Sequence, residues 1–576
     1  MILTLIVCMD YWLLWFARKN LASPQNFEIH VLTTLLLIVL NSLFLFWRSD
    51  FLGKAEKAFY AISTRWLGPV ARFVNRNSAP IFVLVLAYGV VVRFDIILTS
   101  PIDPNVADML PLIRKAMAAF LSGDYPYKFY YLPWKLPLYY FPLLWLSYIP
   151  AHVLRLDIRI IGVLISAVIL FIFWHESRRA RESAAPGSLK PLLVFLPGIF
   201  FFLSPYTIFF TASGHSYPYW FCLVFFLYFL KNDRHALAAI FLGLAVSTRQ
   251  PAVILVPFYL IYLFKNVPRK QWIFLTALMT ISAAVLILPF FLADPKGFLF
   301  DSLSGVSGEL SYGWRPAILG SVGLTNVFYF FGITRYLKIV QMTALALIFL
   351  LALFKVRDKV SLFVYSGFAL FLHNTFLFYI PSHYFYIPVF IVFSFAALEL
   401  LGAVAPVTAR PPFAVKPFLK LLAITTAPVL VLFLFFADLR GVFIRNQTVL
   451  AQGFHQAEKN EDGSLFNWAV GQRAVASFPA SLVDIVLGHD RSLSFLASPF
   501  QYPNSPQQRM EIFVNDTKIS DIPMDNRWKR YSLDIPAGLL YVGSNKIEFH
   551  FAYAAAPSKV LDSQDRRELA AAFRFF

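Results

Sequence analysis

Two carboxylates, Asp103 and Asp108, follow directly on an apolar run that ends near residue 97. A carboxylate just outside a membrane can take the proton of an attacking hydroxyl, which is general-base work. Aspartates also suit turns and helix N-termini, so caps are the competing reading of both. A lone cation stands between two short apolar runs, in Thr248-Arg249-Gln250-Pro251. A guanidinium there would hold an anionic leaving group such as a phosphate, or serve the fold by pairing with a carboxylate or carbonyl. His215, in Ser213-Gly214-His215-Ser216, and the pair His383-Tyr384 stand at the ends of other apolar runs. They suit phosphate or sugar binding, or a helix cap and an interfacial aromatic belt. Arg315, beside Trp314, is a weaker phosphate candidate, and a solvated loop charge is the commoner reading of such a residue. Tyr127, with Tyr130, Tyr131 and Trp134, offers ring faces for a sugar, with an interfacial aromatic belt as the commoner reading.

The rest of the chain must place these groups in lipid. Of 576 residues, 59% are hydrophobic and only 14% charged, far from the balance of a soluble protein. The formal charge of +18 invites a nucleic-acid reading, but residues 438–576 hold 15 basic and 15 acidic residues, so the whole excess lies in residues 1–437. Basic residues flanking apolar runs mark cytoplasmic loops rather than a nucleic-acid surface. The two cysteines, Cys8 and Cys222, sit inside apolar runs and form neither a disulfide framework nor zinc spacing. Residues 1–17 lack a basic start and a small-residue cleavage site, and read as a first span.

Apolar runs at 2–17, 29–46, 79–97, 159–176, 191–212, 217–230, 236–248, 252–264, 272–292, 337–354, 361–380, 385–402 and 418–437 predict about 13 transmembrane helices. Basic segments at 47–78 and 177–190 put the N-terminus in the cytoplasm and the loop 98–157 outside. Residues 137–153, broken by Pro142 and Pro150 and rich in Tyr and Trp, read as an interfacial segment. The runs 236–248 and 252–264 each reach only about 20 Å into a layer of about 30 Å, which sinks Arg249 below the surface. Residues 293–336 stay outside, in part re-entrant.

Beyond residue 437 the pattern changes. RMEIFV (509–514), KRYSLDI (529–535) and NKIEFHF (545–551) alternate in polarity and are parted by Asn-Asp and Pro-Ala-Gly turns, which predicts antiparallel strands in an extracytoplasmic β-sandwich. Trp468 and Trp528 are sugar platforms or core residues, and Asn446 and Asn515 match glycosylation sequons.

Asp108, the following MLPLIRKAMAAFLSG and then Asp124-Tyr125-Pro126-Tyr127 resemble the first-loop signature of integral-membrane glycosyltransferases of the GT-C superfamily, which use polyprenyl-phosphate sugars. The spacing of Gly123 and Pro126-Tyr127 is similar to the branch of the mycobacterial mannosyltransferases and arabinofuranosyltransferases. Gly214-His215-Ser216 stands where relatives often have Gly-Gln, and Arg249 where they often have Lys. The resemblance extends weakly over residues 79–400. It implies a GT-C-like transmembrane domain, 1–437, with a catalytic lid at 98–157, and Asp108 as general base. The strand pattern of 438–576 resembles the jelly-roll carbohydrate-binding modules of some envelope glycosyltransferases.

The expectation is an inverting transferase in the cell membrane. It would move a sugar from a polyprenyl-phosphate donor to a hydroxyl of a cell-envelope glycan or glycolipid, on the extracytoplasmic face. Arg249, His383 and Tyr384 would bind the donor phosphate, and His215, Asp103, Tyr127 and Arg315 the substrates more weakly. Asp103 beside Asp108 permits a divalent metal, Mg or Mn, though two carboxylates make a weak site. Neither a nucleotide-sugar motif nor a phosphate-cradling glycine loop is present, which favours a lipid-linked donor. A flippase for lipid-linked saccharides would also need cations in a bundle and is the alternative, as is a scaffold that only binds glycan.

Overall fold

The structure is a computed structural model that describes residues 1–19, 27–104, 107–132, 135–182, 184, 188–307, 321–377, 383–403, 415–443, 448–460 and 464–575. It is about 63% helical, with a strand-rich C-terminal region. Among the described residues, Phe27–Phe46, Ser78–Thr99, Ile160–Glu182, Arg269–Ala293 and Thr334–Lys355 are each long and apolar enough to cross a membrane. Shorter apolar helices fill the spaces between them. This is a membrane protein in composition and architecture.

The helices that position the loop and the Arg249 turn are α1 (Ile2–Lys19), α2 (Phe27–Ser42), α3 (Asp50–Arg76), α4 (Ser78–Thr99), α5 (Met109–Leu121), α6 (Pro142–Leu146), α7 (Ile149–Val153), α8 (Ile160–Glu182), α9 (Lys190–Leu203), α10 (Pro205–Phe210), α11 (Tyr217–Lys231), α12 (His235–Val246), α13 (Leu255–Asn266), α14 (Arg269–Ala293) and α15 (Pro295–Ser307). The basic segment after α2 is itself a helix, α3, with Ile62, Trp66 and Phe73 exposed. A helix with charge on one side and bare aromatics on another fits the plane of an interface. The run 191–212 breaks at Ser204, where Pro205 cannot continue the hydrogen-bond ladder, and gives α9 and α10. α12 and α13 have 12 residues each, about 18 Å, so the turn between them lies inside the bundle's depth. α12 packs tightly on α14, because a methyl on Gly243 would come within 2.2 Å of the Met279 carbonyl oxygen.

The loop 98–157 is clasped at its base. Arg159 and Asp157 form a buried pair at 2.6 Å, and Arg159 donates further to the carbonyls of Ser100 at 2.7 Å and Ile97 at 2.8 Å. One guanidinium thus joins the end of α4 to the start of α8, which closes the loop at both ends. Inside it, α5 carries an apolar face of Leu112, Ile113, Ala116 and Met117 into the core, and a short hairpin pairs Phe129–Tyr131 with Lys135–Pro137.

The C-terminal region has two five-stranded antiparallel sheets. One runs Lys529–Ile535, Arg491–Pro499, Leu569–Phe575, Leu465–Val470 and Glu458–Lys459; the other Val449–Gln452, Arg473–Ala480, Gly543–Phe551, Arg509–Val514 and Thr517–Pro523. Phe495 and Phe573 of the first sheet meet Phe549 of the second across a common core. The Asn-Asp turn predicted from sequence is present, with Asn515 at φ 46° and Asp516 at φ 72°. The amide of Asn515 reaches out of this turn to the Leu539 carbonyl, Asn545 and the Lys546 N–H, so its sequon is engaged in the fold. Asn446 lies outside the described residues. Trp468 and Trp528 are half-buried against Phe466, and Arg574 covers the Trp528 ring.

Candidate functional site

Arg249 is the last residue before the turn that opens the segment to α13, and it is only 5% exposed. Its Nη1 donates to Ser216 Oγ at 2.6 Å and to His215 Nε2 at 3.2 Å. Its guanidinium also lies 5.2 to 5.5 Å from the ring centres of Phe385, Tyr384 and Tyr140. Aromatic faces compensate part of the cost of burying a cation. A narrow cleft beside it is lined by Ser216, Tyr219, Asn374, Tyr384 and Phe385 among others.

His215 reaches Arg249 because the chain turns sharply after α10. Gly214 permits the turn, since a methyl there would meet the Phe210 carbonyl oxygen at 2.4 Å. Burial, and then the Arg249 charge, hold the His215 ring well below its ordinary 6.5. The ring is therefore neutral and accepts from Arg249 through Nε2, a tautomer assigned from this contact. His215 orients the cation rather than adding a second one. Tyr148 fixes the backbone of this turn by donating to the His215 carbonyl at 3.1 Å.

The loop is seated on the Arg249 turn. Leu143 N–H donates to the Ser247 carbonyl at 3.0 Å, and Gln250 Nε2 donates to the carbonyls of Tyr139 at 2.8 Å and Ser302 at 2.6 Å. Gln250 thus joins the loop, the Arg249 turn and α15. Tyr139 occupies the meeting point: its hydroxyl lies in the electrostatic field of Asp108, of Tyr384 and of Arg249. Burial first, and then the negative field of Asp108, raise this phenol well above 10.

Asp108 is half-buried, and although it immediately precedes α5 its side chain makes no capping hydrogen bond to that helix. Asp103 has a different fate. It is 4% exposed and pairs at 3.1 Å with Arg473 of the strand-rich region, which also binds Glu548 at 2.8 Å. Asp103 is thus held by a cation of the strand-rich region, and no cluster of three or more His, Cys, Asp or Glu able to hold an ion occurs among the described residues. Tyr127 is core: its hydroxyl donates to the Tyr140 carbonyl at 2.9 Å, and its ring packs edge-on against Phe298. Arg315 and the side chain of His383 lie outside the described residues.

Asp301 was missed by sequence reasoning. It is buried in α15 below the loop, where burial and then Asp294 push its carboxyl up to about 6. Its field reaches Tyr125, Tyr127 and Tyr130 of the loop.

Comparison with family models, with curated proteins and with solved structures finds no match to this chain.

Proposed function

We propose that the protein is an inverting membrane glycosyltransferase of GT-C type, with about 13 spans, a cytoplasmic N-terminus and an extracytoplasmic jelly-roll-like domain. It moves a sugar from a polyprenyl-phosphate carrier to a hydroxyl of a cell-envelope glycan or glycolipid. One observation carries this reading: Gln250, next to the buried Arg249, donates to the Tyr139 carbonyl at 2.8 Å, and the Tyr139 hydroxyl lies in the field of both Arg249 and Asp108, a carboxylate that does not cap its helix. A base for the acceptor hydroxyl and a cation for the leaving phosphate are what a single displacement at a sugar carbon needs.

In this mechanism Asp108 accepts the proton of the acceptor hydroxyl as its oxygen attacks the anomeric carbon. The bond from that carbon to the phosphate breaks, its electron pair leaves with the phosphate, and Arg249 holds the departing oxygens. One displacement inverts the anomeric configuration. Ser216 and His215 aim Arg249, and Tyr384 flanks it. The short helices α12 and α13 sink the phosphate site to a depth a lipid carrier reaches from within the membrane.

The test is transfer by the purified protein in nanodiscs, offered a panel of polyprenyl-phosphate sugars, with the product anomer read by NMR. Transfer with inversion supports the proposal. Translocation of a lipid-linked saccharide across vesicles without transfer replaces it with the flippase.

A further inference from the structure

The helical and strand-rich parts enclose a second cleft, lined by Arg114, Asp157, Asn515, Tyr541, Ser544 and Lys546 among others. It lies where Val542 N–H donates to the Arg155 carbonyl at 2.8 Å, and where Leu156 and Val542 form a parallel bridge. Charges around it are matched. Asp157 binds Arg159, Asp103 binds Arg473, and Lys546 takes both Asp516 and Glu548.

Arg114 is the cation left over. Its guanidinium lies 4.3 Å from the centre of the Tyr541 ring and makes no ion pair or hydrogen bond among the described residues. Two polar atoms nearby are buried without a partner among the described residues: Ser544 Oγ, on a residue 9% exposed, and His152 Nδ1, whose ring centre is 6.0 Å from that of Tyr541. Burial and then Arg114 keep His152 below its ordinary 6.5, so it adds no charge at neutral pH. A buried hydroxyl left unmatched is costly unless a ligand or water satisfies it. The half-buried Arg114, held by a ring face and by no carboxylate among the described residues, supplies the charge that an anion complements.

We infer that this cleft binds one oxyanion, a phosphate or carboxylate group, with Arg114 as its charged partner and Ser544 as a neutral donor. Arg114 stands in α5, about 9 Å along the chain's helical rise from Asp108. A bound anion therefore bears on the helix that follows the loop carboxylate. The inference holds whether or not the protein transfers sugar.

The experiment is equilibrium binding to the purified full-length protein in detergent, by calorimetry, with inorganic phosphate and glucuronate as probes and glucose as the neutral control. Saturable binding of at least one oxyanion, and not of glucose, is expected. Arg114→Gln weakens it by about tenfold or more, as loss of a charge-assisted pair requires, while Arg114→Lys retains most of it. Ser544→Ala weakens it by a few-fold. The tighter of the two probes identifies the source, a phosphate ester or an acidic sugar. Absence of saturable binding to the wild type overturns the inference, and so does equal affinity in Arg114→Gln. If Arg114→Gln does not fold, unchanged affinity in Ser544→Ala overturns it.

Discussion

Arg249 donates to the hydroxyl of Ser216 at 2.6 Å, and this bond fixes the direction of a guanidinium held among three aromatic rings. Ser216 immediately precedes α11, so the cation is aimed from one helix end while being carried by another.

Arg249→Lys keeps the charge and loses the planar fork. It is expected to weaken donor use by about tenfold, read as a rise in KM for the lipid-linked sugar, with Arg249→Ala weaker still. Ser216→Ala costs less, within about tenfold, because the His215 contact survives it. Equal activity of all three variants and the wild type would remove Arg249 from the site.

Arg159→Ala opens the clasp beneath the loop. It leaves Asp157 buried without its cation, which costs on the order of 3–5 kcal/mol, and frees the carbonyls of Ile97 and Ser100. The expected result is a lower melting temperature together with new protease cleavage within residues 98–157. A lower melting temperature with no new cleavage there would mean that the pair does not hold the loop.

Much of this was legible in sequence, because apolar length and alternation are strong signals. The breaks at Pro205 and around Arg249, the turn at Asn515-Asp516 and the change to strands beyond the last helix all come from local chemistry that a single sequence carries. Contacts distant in the chain were not legible. That Asp103 faces Arg473, some 370 residues away, while Asp108 does not, depends on how the two regions dock. Tyr127 reads in sequence as a sugar platform or a belt residue, and its burial is not legible there because an exposed tyrosine and a buried one look alike. Asp301 escaped because its weight comes from burial below a loop rather than from a motif.

Two carboxyls give pH dependences of opposite sign. Glu548 is buried, which by itself opposes ionisation, yet His550, Lys546 and Arg473 hold it well below its ordinary 4.5. Its stabilising contribution is complete above about pH 4.5 and is lost as pH falls toward its folded value. Glu548→Gln should flatten the acid limb of the melting curve against pH. An unchanged limb would contradict the role of the pair.

Asp301, raised from 3.8 to about 6, works the other way. The folded protein keeps that proton after the unfolded chain has lost it, so stability falls between about pH 4 and pH 6. Asp301→Asn is expected to remove this fall and to melt higher than wild type above pH 6. A variant that melts lower than wild type at pH 7 would show that the ionised carboxylate is stabilising instead.

The central claim is that Asp108 is the base, and the most direct measurement is sugar transfer by Asp108→Asn in nanodiscs, with binding of the polyprenyl-phosphate donor measured on the same preparation. The account predicts a fall in kcat of about 100-fold or more with donor affinity within a few-fold of wild type, as loss of a general base requires. Normal turnover by Asp108→Asn would contradict it, most sharply if Asp301→Asn lost activity in its place.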